Sequence, residues 1–261
     1  MTMDITKRQT PEEEELHKKR VELATLENAL AQNELDLATI QAQLNIFLTR
    51  YLNTVGSRYS ELDEINAQIA EVEARLKPQE KIAKDKANEA RSRAEESAKA
   101  TQGMQNSEQP LEFIPSDRLK KLYREVARKI HPDLCTDEKE RGRRQQLMVE
   151  ANQAYERGDE ERLQVILKEW ESSPDFIKGE DVAMQLVRLI RKLAHVRERI
   201  KYSTSRIKEL RKSDLYALYK KVKKAEVEGE DLLKEMAERI NSDIMDAKER
   251  LRKLGLEKIS T

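Results

Sequence analysis

The sequence predicts an all-α fold in which long coiled-coil helices flank a small helical domain. Charged residues make up 38% of the 261 residues, while aromatic residues make up only 4%. Turn-forming residues are scarce as well, with 7 glycines and 6 prolines. Such a composition is typical of long helices and coiled coils. The length allows one or two domains, but the composition argues against a single compact globule.

The first predicted coiled coil covers residues 12–100. Its apolar residues recur at alternating steps of three and four, as a coiled-coil seam requires. The first part of this seam consists of Leu23, Leu26, Leu30, Leu37, Ile40, Leu44, Phe47 and Tyr51. Asn33 fills one further seam position. The next step, to Val55, is a stutter that locally unwinds a supercoil, and Gly56 beside it indicates a bend or a close helix contact.

A linker and a small helical domain are predicted in the middle of the chain. Residues 101–110 have linker composition, and residues 111–171 form the predicted domain. Ser116 or Asp117 is the expected N-cap of its first long helix. The side chains expected to face inward from this helix are Leu119, Leu122, Val126 and Ile130. A second helix is predicted around residues 147–155.

A third apolar stripe is expected to cover these two helices as a lid. A domain of about sixty residues has a core of marginal size, so an extra covering helix is needed. The stripe consists of Leu163, Ile166, Leu167 and Trp170.

The second predicted coiled coil covers residues 181–257. Its seam begins with Leu186, Leu189, Leu193, Val196, Ile200, Ile207 and Leu210. Residues 186–224 carry 14 Lys or Arg against three acidic residues, a net charge of +11. Residues 1–100 carry 15 basic and 19 acidic residues, a net charge of −4.

These opposite charges favour association of the two coils. We expect an antiparallel pairing, either within one chain or exchanged in a homo-oligomer. Within one chain it would place Leu23–Leu44 beside Leu233–Leu254 and Leu62–Leu76 beside Leu186–Ile200.

The most informative stretch is LKKLYREVARKIHPD, at residues 119–133. It is a basic amphipathic helix that runs directly into His131-Pro132-Asp133. A charged loop and a second apolar helix, ending in Ala154-Tyr155, follow. A given tripeptide occurs by chance in roughly one chain of this length in a hundred, so the flanking helices carry most of the weight. This order of elements, from Pro115 to Trp170, resembles the J-domain of DnaJ-type co-chaperones.

The resemblance implies two antiparallel helices whose HPD loop docks on a DnaK-type chaperone and stimulates its ATPase. His131, Pro132 and Asp133 match the signature tripeptide. Tyr123 and Arg124 match the family's exposed pair of a tyrosine and a basic residue. The other cations implied in the docking face are Lys120, Lys121, Arg128 and Lys129.

Three features depart from the family's pattern. The short first helix with its Tyr-Leu-Gly signature has only LEFI, at residues 111–114, near its place. The second basic residue after the family tyrosine is Glu125 here, and the loop after HPD is longer than usual. No Gly/Phe-rich stretch and no zinc-binding cysteine repeats follow. Oligomerisation or client binding is therefore expected from the coiled coils.

Catalysis, metal binding and cofactor binding are not expected. His131 has no Ser or Cys nucleophile held beside it, because Cys135 is only an adjacent loop position. The three histidines, His17, His131 and His195, are far apart, and there is no cysteine pair to ligate zinc. No Gly-rich phosphate loop is present, so the chain is not expected to bind ATP.

A cytoplasmic location is expected. The sequence has no run of eighteen apolar residues and no apolar signal core, so neither a membrane span nor export is expected. The single cysteine fits a reducing compartment.

Two other functions remain open from the sequence. The chain could be a coiled-coil scaffold that keeps a J-like domain only as a helical hinge. It could also be a nucleic-acid-associated protein, because Tyr202, Tyr216 and Tyr219 interleave with the basic segment and could stack on bases. Outward coil positions that pair with the acidic first coil explain these charges better, so nucleic acid is the less favoured partner.

Overall fold

The structure is a computed structural model that describes residues 10–102, 112–135, 137–171 and 182–257. Within these ranges the fold is all-α, as predicted, and contains no strand. The helices are α1 (Pro11–Tyr51), α2 (Ser57–Leu76), α3 (Lys81–Thr101), α4 (Asp117–Ile130), α5 (Glu138–Arg157), α6 (Glu160–Glu171), α7 (Val182–Lys212), α8 (Asp214–Glu228) and α9 (Leu232–Glu257). None of the helices in these ranges has the length and apolar character that crossing a membrane requires.

The chain forms two compact units, and α1 contributes to both. The first unit contains the described residues up to 43 together with residues 113–213, and so holds α4, α5, α6 and α7. The second unit contains the described residues of 44–112 and 214–257, with the end of α1 and with α2, α3, α8 and α9. Each unit therefore combines helices from both ends of the sequence.

The second unit is organised around an apolar core shared by α1, α2, α8 and α9. Its buried members are Phe47, Val55, Ile65, Ile69, Val222, Leu233, Ile240 and Ile244. The third helix, α3, runs back along α2, and Arg91 on α3 bonds Glu64 and Glu71 at 2.8 and 2.7 Å.

A π-helix, Leu52–Gly56, joins α1 to α2 at the predicted stutter. Its wider turn absorbs the extra step in the apolar pattern. The sequence indicated either a bend or a close helix contact at Gly56, and the structure shows the close contact. A Cβ at Gly56 would lie 2.9 Å from Leu52 Cδ2 and 3.5 Å from Thr101 Cγ2 at the end of α3.

The first unit contains a long contact between α1 and α7. Its apolar cluster includes Leu16, Leu23 and Leu30 from α1 with Leu189, Leu193 and Val196 from α7. The predicted seam position Asn33 donates from Nδ2 to Thr204 Oγ1 at 3.2 Å. Seam residues of both segments are therefore inward, whereas supercoiling of these helices stays a prediction.

The predicted antiparallel direction of this pairing is wrong. Arg20 bonds Gln185 at 2.8 Å, and further along both helices Asn33 bonds Thr204. Residue numbers thus rise together, so α1 and α7 run parallel. The seam of Leu23–Leu44 begins beside Leu189 and Val196 rather than beside the C-terminal end of the chain.

The same parallel direction holds in the second unit. Arg58 bonds Asn241 at 3.1 Å, and Glu73 bonds Arg250 at 2.5 Å, so α2 and α9 also rise together. The prediction treated residues 12–100 as one coil and left out the return of α3 along α2, which places Thr101 beside Gly56 and so changes the direction of the chain. The predicted association of the two halves is confirmed, and oppositely charged residues join them in both units.

Candidate functional site

Helix α4 presents one buried face and one basic face. Ser116 is its N-cap, because Ser116 Oγ accepts a hydrogen bond from the Leu119 N–H at 2.9 Å. The buried face consists of Leu119, Tyr123, Val126, Ala127 and Ile130. At His131 the backbone leaves the helical region, with φ −55° and ψ 131°, because the next residue is Pro132.

Tyr123 is a correction to the implied docking face. The resemblance implied an exposed side chain, but Tyr123 is only 1% exposed, whereas Leu122 is half-buried. The Tyr123 hydroxyl donates to Asn152 Oδ1 at 2.6 Å, and its ring centroid lies 4.6 Å from that of Tyr155. Burial raises the pKa of Tyr123 well above its ordinary value. Tyr123 therefore joins α4 to α5 and is closed to a partner in this conformation.

Helix α5 runs antiparallel to α4, as the resemblance implied. Tyr123 near the middle of α4 meets Asn152 late in α5, while the end of α4 meets Arg144 early in α5. Phe113, from the LEFI segment, is buried and packs edge-on against Tyr155 with centroids 5.4 Å apart. One aromatic side chain thus covers the region where the family's first helix would be expected.

Helix α6 is the predicted lid. It packs against both α4 and α5, and Leu163 and Ile166 are completely buried. Trp170 is half-buried, and the Arg144 guanidinium lies 4.5 Å from its ring centroid. The lid prediction is therefore confirmed, with Trp170 held by a cation–π contact.

The HPD tripeptide forms a short 3-10 turn over Pro132–Leu134. The Asp133 N–H donates to His131 Nδ1 at 3.1 Å, so the proton of a neutral His131 ring is on Nε2. The Asp133 carboxylate accepts from Arg141 Nη2 at 2.9 Å. Pro132 and Asp133 are half-buried and form the part of the tripeptide that solvent reaches.

Arg144 holds the start of this loop from α5. Its Nη1 donates to the carbonyl oxygens of Lys129 and His131 at 3.3 and 3.4 Å. Its Nε donates to Glu140 Oε1 at 3.0 Å. Because Arg144 is itself buried beneath Trp170, the loop's entry is fixed by both α5 and α6.

Side chains from α1 and α7 cover His131. His131 is 1% exposed, and its Nε2 faces Glu34 Oε1 at 3.7 Å. Arg199 donates from Nε and Nη2 to the two carboxylate oxygens of Glu34 at 2.9 and 3.0 Å. Burial raises the pKa of Glu34, but the polar contacts with His131 and Arg199 outweigh it, so the pKa lies below its ordinary value.

The apolar side of the loop is covered in the same way. Leu134, directly after the tripeptide, belongs to the α1–α7 cluster that contains Leu30, Leu193 and Val196. The HPD loop is therefore enclosed on its His131 and Leu134 sides by two long helices.

The predicted docking cations differ in exposure. Lys121, Arg124 and Arg128 are exposed, while Lys120 and Lys129 are half-buried. Arg124 Nη1 donates to Gln32 Oε1 on α1 at 3.2 Å. Burial raises the pKa of Glu27, which is also on α1. The charge of the nearby Arg128 acts in the opposite direction but is the smaller effect.

The two half-buried lysines pair with acidic residues of the same domain. Lys120 bonds Asp117 at 3.3 Å. Lys129 pairs with Glu125 at 3.3 Å and with Glu171 of α6. Glu125, which departs from the family's pattern, thus neutralises part of the charge on α4.

Four functional neighbours of the loop were missed from the sequence: Glu34, Arg141, Arg144 and Arg199. The two arginines of α5 could have been suspected, because they follow HPD closely in a segment that must pack back on it. No local signal joins Glu34 to Arg199, since the two are 165 residues apart.

The contacts around the loop can be compared with those that catalytic and metal sites require. Among the described residues, no group of three or more His, Cys, Asp or Glu side chains could hold a metal ion. Cys135 Sγ contacts the Asp137 carbonyl at 3.6 Å and makes no described contact with His131. What the site offers is a rigid loop beside an exposed row of cations.

Comparisons with protein-family models, with characterised proteins and with solved structures found no match.

Proposed function

We propose that this protein is a non-enzymatic co-chaperone of the J-domain type, which docks on a DnaK-type chaperone and stimulates its ATPase. The observation that carries the proposal is the HPD turn at the end of a basic helix, α4, with α5 packed antiparallel behind it. Neither helix periodicity nor hinge geometry alone requires these three residues in this order at this place.

The cations and the tripeptide have different roles in this proposal. Lys121, Arg124 and Arg128 attract an acidic surface and raise the association rate, as exposed charges do across interfaces. Pro132 and Asp133 make the specific contact, and His131 fixes the turn by accepting the Asp133 N–H. Lys120 and Lys129 add charge at the edge of this surface.

The long helices supply the remaining functions of such a protein. We assign them the positioning of the docking domain and the binding of a client or a second copy of the chain. The reducing cytoplasm is the proposed location, because a single cysteine, which cannot form a disulfide within the chain, fits a reducing compartment.

The test is the ATPase rate of DnaK-type chaperones with and without the full chain. Asp133→Asn should reduce the stimulated rate to the basal rate while leaving helix content by circular dichroism unchanged. Arg141→Gln is the matched control, because it removes the same ion pair from the other side without changing the tripeptide. Equal loss in both variants would mean that Asp133 acts only through Arg141, and the docking role would be wrong.

A scaffold function is the second candidate, and the burial of His131 is the observation that favours it. A histidine enclosed by Glu34 and Arg199 could serve solely as a joint between helices. The same assay separates the two functions, since a scaffold would stimulate no DnaK-type ATPase in any variant, including those that expose the loop.

A further inference from the structure

We infer that α1 and α7 form a latch that closes the HPD loop, so that the protein is an autoinhibited co-chaperone. The latch is defined here as Glu34 on α1, Arg199 on α7 and the apolar cluster around Leu134. This inference rests on the proposed function, because it assigns the regulation of the same docking site.

The first argument is accessibility. Pro132 and Asp133, which make the proposed contact, are only half-buried, but the residues on either side of them are closed, since His131 is 1% exposed and Leu134 is 6% exposed. The covering groups belong to helices outside the docking domain, at Glu34 and Arg199. Helices α4, α5 and α6 also pack on one another, for example through Tyr123 and Asn152, so an opening of α1 and α7 would leave these contacts in place.

The second argument is charge. Where a chaperone's acidic surface would meet α4, α1 already places Gln32 against Arg124 and Glu27 near Arg128. Helix α1 thus contacts part of the basic face of α4 from within the chain. An acidic partner and α1 would compete for the same cations.

The third argument is the polar character of the closure. Buried ion pairs often contribute less stability than apolar side chains of the same size, and their best-attested use is to fix one arrangement or to switch it. Arg199 is 31% exposed at its side chain, so it can return to water when the helices separate. Glu34 then loses the guanidinium that holds it in a buried position, and closure and opening become alternative states.

Cys135 provides a reporter of this opening within the natural chain. It is the single cysteine, it is buried, and it lies two residues after Asp133. The residue before it, Leu134, lies in the apolar cluster of α1 and α7, so a soluble maleimide should label the parent slowly when the latch is closed. In Arg199→Glu, a carboxylate faces Glu34, and the labelling rate should rise at least about tenfold, the factor that corresponds to about 1.4 kcal/mol of lost closure.

Arg197→Glu is the matched control. It reverses the same charge on the same helix and breaks an α1–α7 ion pair, with Glu22, that does not touch the loop. Its labelling rate should stay within about threefold of the parent, because exposed pairs contribute little. Glu34→Gln, which keeps the shape of the side chain, is the second variant if Arg199→Glu loses helix content.

The outcomes separate the latch from the proposed function. Fast labelling of the parent, or equal rates in Arg199→Glu, Glu34→Gln and Arg197→Glu, would overturn the latch. If labelling rises in the opened variants and DnaK-type ATPase stimulation rises with it, both proposals are supported. If labelling rises but no ATPase responds, the closure is real and the co-chaperone function is wrong.

Discussion

The two units solve the same packing problem with different chemistry. In both, a helix from the N-terminal half lies parallel to one from the C-terminal half. The second unit joins α2 and α9 through an apolar core, with ion pairs such as Glu61–Lys248 at the exposed rim. The first unit also has an apolar cluster between α1 and α7, but it adds charged groups inside. The buried polar or charged residues of the described chain are Glu34, His131, Arg144 and Ser203, all in that unit.

The difference indicates that the apolar core of the second unit mainly contributes stability. The buried polar contacts of the first unit mainly contribute specificity. Apolar burial stabilises roughly in proportion to area and tolerates small shifts of register. Buried ion pairs require particular partners at particular distances, and they weaken sharply when one partner moves. The buried polar contacts lie beside the HPD loop, so they belong to the same unit as the candidate functional site.

The largest expected effect comes from the apolar contact. Leu233→Ala should lower the free energy of unfolding by about 3 kcal/mol, because it leaves a cavity at a residue that is 1% exposed. Urea unfolding followed by circular dichroism measures it. Val227→Ala, at 88% exposure, is the control and should change stability little. A loss below about 1 kcal/mol for Leu233→Ala would contradict the apolar core described for the second unit.

The polar contact should give a smaller loss. Glu34→Ala should cost about 2 kcal/mol, because it leaves His131 Nε2 buried without its partner, whereas Arg199 can turn to solvent. The same urea experiment applies. A second measurement, hydrogen exchange, should show that the effect of Glu34→Ala is local. Exchange should accelerate at residues 131–135 and not in α2 or α9. Uniform acceleration across both units would contradict a contact confined to the loop.

The fold was largely predictable because its signals are local. Helix periodicity indicated the seam positions, Ser116 satisfied the N-cap rule, and the stutter became the π-helix before Ser57. Tyr123 could also have been placed correctly. The steps Leu119, Tyr123, Val126 and Ile130 follow a better helical stripe than one through Leu122, but the family resemblance implied exposure instead.

The direction of pairing and the latch were not predictable, for a different reason. The opposite net charges of the two halves favour their association. This attraction is the same for a parallel and an antiparallel pairing, so it could not distinguish the two directions. The deciding element was α3, whose return along α2 depends on contacts such as Arg91 with Glu71. The contacts of Glu34 with Arg199 and His131 could be predicted only once the direction of pairing is known.

The pH dependence of Glu34 gives a third and smaller effect. Its pKa is lowered in the folded protein, so the ionised carboxylate contributes stability above its unfolded pKa and loses it as pH falls through the folded pKa. The parent should therefore exceed Glu34→Gln in stability near neutral pH, and the gap should close as the pH falls through the folded pKa of Glu34. At each pH, the free energy of unfolding of Glu34→Gln is subtracted from that of the parent. The contributions of the other carboxyl groups cancel in this difference. A gap that widens with acid would mean that burial, not the contacts with His131 and Arg199, controls this carboxyl.

The smallest effect belongs to the rim of the second unit. Glu61 bonds Lys248 at 2.7 Å, but the two side chains are 49% and 58% exposed. Water solvates both charges before and after the bond forms, so Glu61→Ala should change stability by no more than about 0.5 kcal/mol. Because the Debye length falls to about 3 Å in 1 M salt, even this difference should shrink there, whereas the larger loss in Glu34→Ala should persist at the same salt concentration. Urea unfolding of both variants at low and high salt makes the comparison. Glu61→Ala and Glu34→Ala could instead lower the free energy of unfolding by the same amount. Ion pairs between helices would then contribute equally in both units, which would contradict a distinct role for the polar contact of the first unit in the latch.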